Sequence, residues 1–298
     1  MNVVLNALVL ALAVLLAGCI GPPIPLTERT VENLRQQAPV RFVLSFDDGP
    51  SGSDFYNPTA RILDDLADNP VMPGIKAVFF VQTGAIGGGG TATGRELMRR
   101  EGRERHVLGF HTATPRHTNH RSLSPEALEQ ALTDGLRIIQ AETGQHATLV
   151  RPPFWNYDRR TFAAYQQKGL SVLLTDLSAN DGKIYGFNMS PRRRENLLLQ
   201  VSQVRERIAH GELPVVDGAT PVVVTFHDVN RYTARHIQEY LQILLDSAQA
   251  DGLPLAAKPF YDDPEELLRA ATARTVRDAS EPVRLPGWWN WIWDRNSH

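Results

Sequence analysis

From Arg41 onward, short apolar runs of strand character alternate with helical patterns. The strand candidates are 41–46, 75–81, 106–110, 148–151, 170–175, 222–226 and 253–257. Seven strands interleaved with helices demand parallel βα units joined by right-handed crossovers. A barrel is the natural closure, although an open doubly wound sheet has the same alternation. Helix ends are marked chemically. Ser124 and Pro125 supply an N-cap and a first helical position, Ser190 and Pro191 do the same for a helix running toward His210, and Gly252 closes a third helix begun at Thr233. The polar residues favour the barrel. Asp47, Asp48, His111, Arg151, Asp176 and His227 all fall at or just past the C-terminal end of a strand candidate. In a barrel those ends meet on one rim, where the active sites of such folds lie.

The flanks read differently. Residues 1–18 are almost wholly apolar and end Leu16-Ala17-Gly18-Cys19, with no Lys or Arg among them. A short apolar run ending in small residues is a secretory signal. Its last residues resemble the bacterial lipobox, which implies cleavage before Cys19, a lipid on its thiol and a place in the cell envelope; the alternative is an uncleaved anchor. Ile20 after the cysteine points to outer-membrane sorting, facing the periplasm. Cys19 is the only cysteine, which excludes an intramolecular disulfide and a cysteine metal cluster. Residues 19–40 read as a tether with a short helix at 31–37, residues 41–260 as the body, and residues 261–298 as a C-terminal helix and tail. That tail holds four of the five tryptophans, read as packing back on the body rather than stacking on sugar or touching a membrane. With 31 basic against 33 acidic residues, nothing points to nucleic acid as a partner. The glycine run 87–90 lacks a following Gly-Lys-Ser/Thr, so it reads as a flexible loop near the rim and not a phosphate cradle.

Chemistry concentrates in two places. In LSFDDGP, Asp47 and Asp48 leave the end of a buried strand and meet Gly49-Pro50 at once. One carboxylate there can bind a metal while the other works as a base; the plainer reading is an Asp-Gly turn. In GFHTATPRHTNH, three histidines follow one strand: His111, His117 and His120. Two imidazoles with one carboxylate make a facial set for a divalent metal, open to water and substrate.

These motifs, with KAVFFVQTG, RPPF at 151–154, the stretch 175–182 and TFHD at 225–228, appear in the order found in carbohydrate esterase family 4, the NodB-homology polysaccharide deacetylases, which the chain resembles over 41–258. The resemblance implies a distorted (β/α)7 TIM-like barrel of the α/β class and a metal-dependent hydrolase that removes acetyl groups from an N-acetylated polysaccharide. It makes Asp47 the general base and Asp48, His111 and His117 the ligands of a divalent metal. Zinc is favoured, since imidazole and carboxylate suit it, with cobalt or manganese as alternatives. His117 follows from counting back from Leu123-Ser124; His120 stays open as the second imidazole. Arg151 is expected to hold Asp47, the backbone N–H near Phe154 to bind the oxyanion, His227 to protonate the leaving amine, and Asp181 to steady Arg151 or His227. The chain departs from the pattern at Pro115, Trp155, Gly182 and Thr225, which bears on substrate more than on reaction. Two other readings are an O-acetyl esterase with the same site and a glycan-binding lipoprotein without catalysis.

Overall fold

Strand β1 (Val40–Asp47) is buried on both faces, as a strand of a parallel sheet covered by helices must be. The computed structural model describes residues 22–181, 192–281 and 283–286. The other strands are β2 (Val78–Gln82), β3 (Val107–Thr112), β4 (Leu149–Val150), β5 (Ser171–Val172), β6 (Leu177–Ser178), β7 (Thr220–His227) and β8 (Leu255–Phe260). The helices are α1 (Glu28–Leu34), α2 (Pro58–Ala67), α3 (Ala92–Arg103), α4 (Pro125–Thr143), α5 (Arg159–Gln167), α6 (Arg193–Ala209), α7 (Arg231–Ala250) and α8 (Pro264–Ala273). Seven strands form one continuous path, β5-β4-β3-β2-β1-β7-β6, with every pair parallel. The eighth, β8, pairs with the start of β1. Since β7 covers one edge of β1 along its whole length, β2 and β8 share the other. The result is the distorted (β/α)7 barrel, curled but with no pairing of β5 to β6 among the described residues.

The period-two alternation of strands sorts side chains between two cores. Phe42, Leu44 and Phe46 of β1 face outward, into the large core under the helices. Val43 of β1, Val78 and Phe80 of β2, Val107 of β3, Leu149 of β4 and Val223 of β7 face inward. Leu267, Ala270 and Ala271 of α8 plug that inner core from below. Gly109 on β3 is glycine for a packing reason: a Cβ there would lie 2.6 Å from the Phe80 ring. Further along the strands, the same inward parity gives Ser45, Gln82, His111, Arg151 and Thr225, and then Asp47 and His227. The barrel interior is thus apolar at its floor and polar at its rim.

Several expectations are corrected in detail. Strand 170–175 shrinks to two residues, and the chain makes an extra two-residue strand, β6, before α6. The strand placed at 253–257 runs instead from Leu255 to Phe260. Asp176 is not on the rim. One of its oxygens accepts from the Val223 N–H and the other from Arg207 and Arg274, so it ties β7 to α6 and the segment after α8. Ser124 caps α4 through the Ala127 N–H, and Gly252 follows α7 at φ +67°. Residues 24–34 run beside α6, with Arg205 donating to the carbonyls of Ile24 and Pro25. The leader with Cys19, Ser190-Pro191, Gly182 and the four tail tryptophans lie outside the described residues. Among the described residues no helix is long and apolar enough to cross a membrane.

Candidate active site

Arg151 sets the geometry. Its guanidinium has 0 % exposure, which only dense pairing makes tolerable. Nη1 donates to Asp47 Oδ1 at 2.9 Å, Ser45 Oγ at 2.7 Å and Thr225 Oγ1 at 2.9 Å. Nε and Nη2 donate to the carbonyls of Leu173 and Leu174, and the group lies over the Phe80 ring. One side chain just past the end of β4 therefore joins β1, β7 and the segment after β5 across the barrel. Burial lowers the Arg151 pKa, against the pull of Asp47. The other Asp47 oxygen accepts from the indole N–H of Trp155 at 3.2 Å.

Asp48 is turned the other way. Its φ of +74° is a left-handed conformation that costs a non-glycine residue strain, and such strain gathers at functional sites. The twist brings its carboxylate to the same rim as Asp47, although neighbours on a strand face opposite sides. Gly49 follows because a Cβ there would lie 2.0 Å from the buried Asp228 carboxylate. Asp48 Oδ1 stands 3.2 Å from His111 Nε2 and 3.6 Å from His117 Nε2, and the two imidazole nitrogens are 3.0 Å apart. The three ligand atoms all lie within 4.8 Å of one another. His111 Nδ1 is 2.6 Å from the Arg151 carbonyl, which can only accept. Nδ1 therefore carries the proton, and Nε2 presents a lone pair to the cluster. The set fits a divalent cation. Gln82 Nε2 donates to Asp48 Oδ1 at 2.7 Å and fixes that carboxylate from β2.

Electrostatics agree with the geometry. Burial raises the Asp48 pKa, but the neighbouring imidazoles of His111, His227 and His117 outweigh it and hold the carboxyl well below the usual carboxylate range. Burial pushes His117 down to about 4, with His111 adding to the effect. His120 does not join the cluster. It is fully buried, its Nδ1 is 2.8 Å from the Tyr165 hydroxyl, and burial pushes its pKa to about 3.

On the opposite wall, His227 Nδ1 is 2.8 Å from Asp181 Oδ1, while the His227 backbone N–H donates to Asp181 Oδ2 at 2.9 Å. Thr233 donates to the same oxygen. Asp181 thus serves His227 and not Arg151. Burial depresses the imidazole, yet Asp181 more than compensates and raises it to about 10. His227 is protonated through neutral pH, with Nε2 left to the cleft. Phe154 has φ +61° and Trp155 +55°, so the chain after Arg151 kinks twice. The turn bonds there use the N–H groups of Trp155 and Asn156, and that of Phe154 is in neither. The Phe154 ring stacks on His117 at 4.4 Å. Gln82 and the indole donor of Trp155 were missed as site residues; the inward parity of β2 was the signal for Gln82.

Residues 35–173 match the family model described as polysaccharide deacetylase. Peptidoglycan-N-acetylglucosamine deacetylase PgdA of Listeria monocytogenes is 24% identical over 234 residues, 74% of this chain and 41% of the relative, so the chain spans less than half the length of that protein. Among solved structures, a family 4 carbohydrate esterase from Streptomyces lividans superposes with a TM-score of 0.52 at 19% identity, covering 81% of this chain and 99% of that one. The chitin deacetylase of Colletotrichum lindemuthianum gives 0.52 at 21% identity, covering 77% and 92%. Those two likenesses bear on the fold. The matched residues run from the start of the barrel through β1, the histidine loop and Arg151, so the stretch that builds most of the site is similar to the polysaccharide deacetylases.

Proposed function

We propose that this chain is a metal-dependent hydrolase that removes acetyl groups from an N-acetylated polysaccharide of the bacterial envelope. One observation carries the reading: Asp48, His111 and His117 converge on one point beside Asp47, a carboxylate held by Arg151 and Trp155. Asp48, His111 and His117 would hold the cation, zinc by the nature of the donors. When bound, it supplies Lewis acidity toward water and the acetyl carbonyl. Asp47 takes the proton of the attacking water, and Arg151 keeps its carboxylate aimed. The Phe154 N–H faces the negative charge that develops on the carbonyl oxygen. His227, kept protonated by Asp181, gives its proton to the nitrogen as the C–N bond breaks. Acetate and a free amine leave. The curated relative, a peptidoglycan deacetylase, supports an envelope glycan as substrate. The lipobox supports a lipid anchor at Cys19, a tether at 19–40 and the body at 41–260, held at the periplasmic face of the outer membrane. An O-acetyl ester would pass through the same site with a different leaving atom.

Metal analysis of purified protein beside Asp48→Ala and His117→Ala tests the ligand set: both variants should lose the cation. Acetate release from an N-acetylglucosamine polymer and from acetyl-xylan then separates amide from ester. A protein that binds metal yet frees acetate from neither is no deacetylase.

A further inference from the structure

Resting on that reading, one feature of the rim points to the charge of the substrate. The loop after β1 carries Phe55 and Tyr56 between Asp48 and α2. Phe55 is 102 % exposed, the highest of the large apolar side chains described. Yet its loop is pinned. The Asn57 amide donates to the carbonyls of Ser51 and Ser53, and Thr93 donates to Asp54 at 2.5 Å. A ring held in water on a fixed loop is a surface prepared for contact. Beside it, the guanidinium carbons of Arg231 and Arg235 stand 5.5 and 5.6 Å from the Tyr56 ring centre. Both arginines are exposed, lie one turn apart on α7, and make no ion pair among the described residues. Their neighbours are treated differently: Arg193 pairs with Glu239 and Arg194 with Asp246, both on the same helix. Two like charges over one ring repel each other unless an anion arrives. The patch adjoins the site. Thr59, three residues past Tyr56, donates to Asp228, the residue after His227, and Asp228 packs against Gly49, the residue after Asp48.

We propose that Phe55, Tyr56, Arg231 and Arg235 form an accessory subsite for a glycan bearing an anionic group, with Phe55 under a sugar face and the two guanidiniums on the anion. Arginine forks suit carboxylate and phosphate alike. The test is calorimetric titration of the full chain with three oligosaccharides of equal length: neutral N-acetylglucosamine units, units bearing a carboxylate, and units bearing a phosphate. The anionic oligomers should bind about fivefold more tightly at low salt, an advantage that fades as salt is added. Which of the two gains identifies the anion. Arg231→Gln/Arg235→Gln should erase that advantage and leave the neutral oligomer within about twofold. Phe55→Ala should weaken all three alike, since a ring stacks on a sugar face whatever its charge. Equal affinity for neutral and anionic oligomers in the unaltered protein would overturn the subsite, as would a double variant that weakens all three equally. Preferential anion binding without acetate release from any oligomer would sink the reaction and leave the subsite standing.

Discussion

The end of β1 delivers two adjacent carboxylates into two unlike regions. Around Asp47 the chain supplies everything: both oxygens accept hydrogen bonds, and Arg151 is buried solely within protein. Around Asp48 the chain supplies too little. One carboxylate oxygen and two imidazole nitrogens face each other with few protons between them. A region satisfied from within is built to hold a geometry. One that crowds lone pairs at a point is built to receive a cation. The proposed base and the proposed metal site are separated by one peptide bond and by the left-handed turn at Asp48.

The sharpest way to break that division is to alter each carboxylate alone. Asp47→Asn should keep the metal and lower kcat by about 10²- to 10⁴-fold, as loss of a general base does. Asp48→Ala should lose the metal and with it all activity. Metal content by atomic emission and acetate release decide it. If Asp47→Asn loses the cation as readily as Asp48→Ala, the two regions are one.

The same contrast runs through the histidine loop. His117 reaches the rim, while His120, three residues on, turns into the core against Tyr165 and Phe110. His117→Ala should lose metal with little change in stability. His120→Ala should keep metal and lose about 1–3 kcal/mol to a buried cavity. Urea unfolding with metal analysis separates them, and the reverse pattern would move the ligand to His120.

How far the sequence revealed this depends on the residue. Parallel βα alternation was legible because both-face burial leaves near-continuous apolar runs such as 42–46. The convergence of Asp48 and His111 followed from their places at strand ends. The choice between His117 and His120 was not legible from residues alone, because a loop has no periodicity to say which imidazole turns inward. Asp176 misled for the opposite reason. It sits where a strand was expected to end, but β5 stops short at Val172 and the chain is already entering β6. Pattern gives a strand's existence better than its last residue, and at a rim the last residue decides the chemistry.

Proton linkage offers a third comparison, between His227 on the rim and His120 in the core. His227 is raised to about 10, so its contribution to stability is complete below pH about 6.5 and is lost as pH climbs through 10. His120 is depressed to about 3, so its contribution is complete above about 6.5 and is lost as pH falls toward 3. Urea midpoints measured across pH should therefore decline on both sides. His227→Gln should flatten the alkaline side only and His120→Asn the acid side only. Identical profiles for the two variants would show that neither imidazole carries the linkage.

The smallest effect is expected at Gln82, which belongs to neither region and touches both. It rises from the inward face of β2, in register with the residues that line the barrel, and its amide donates to the Asp48 oxygen nearest the imidazoles. Its own backbone N–H donates to the Gly49 carbonyl, so side chain and main chain grip the same turn. A donor on a ligand oxygen holds the carboxylate in one rotamer before the cation arrives, and removing such a partner typically weakens metal affinity about 10-fold or more. Gln82→Leu keeps the volume and removes the donor. It should weaken zinc binding by about that factor in competition with a chromophoric chelator, while Gln82→Asn, shorter by one methylene, recovers part of it. An unchanged zinc affinity in Gln82→Leu would mean that the turn at Asp48 orients the carboxylate unaided, and that the metal region is as self-sufficient as the Asp47 pocket beside it.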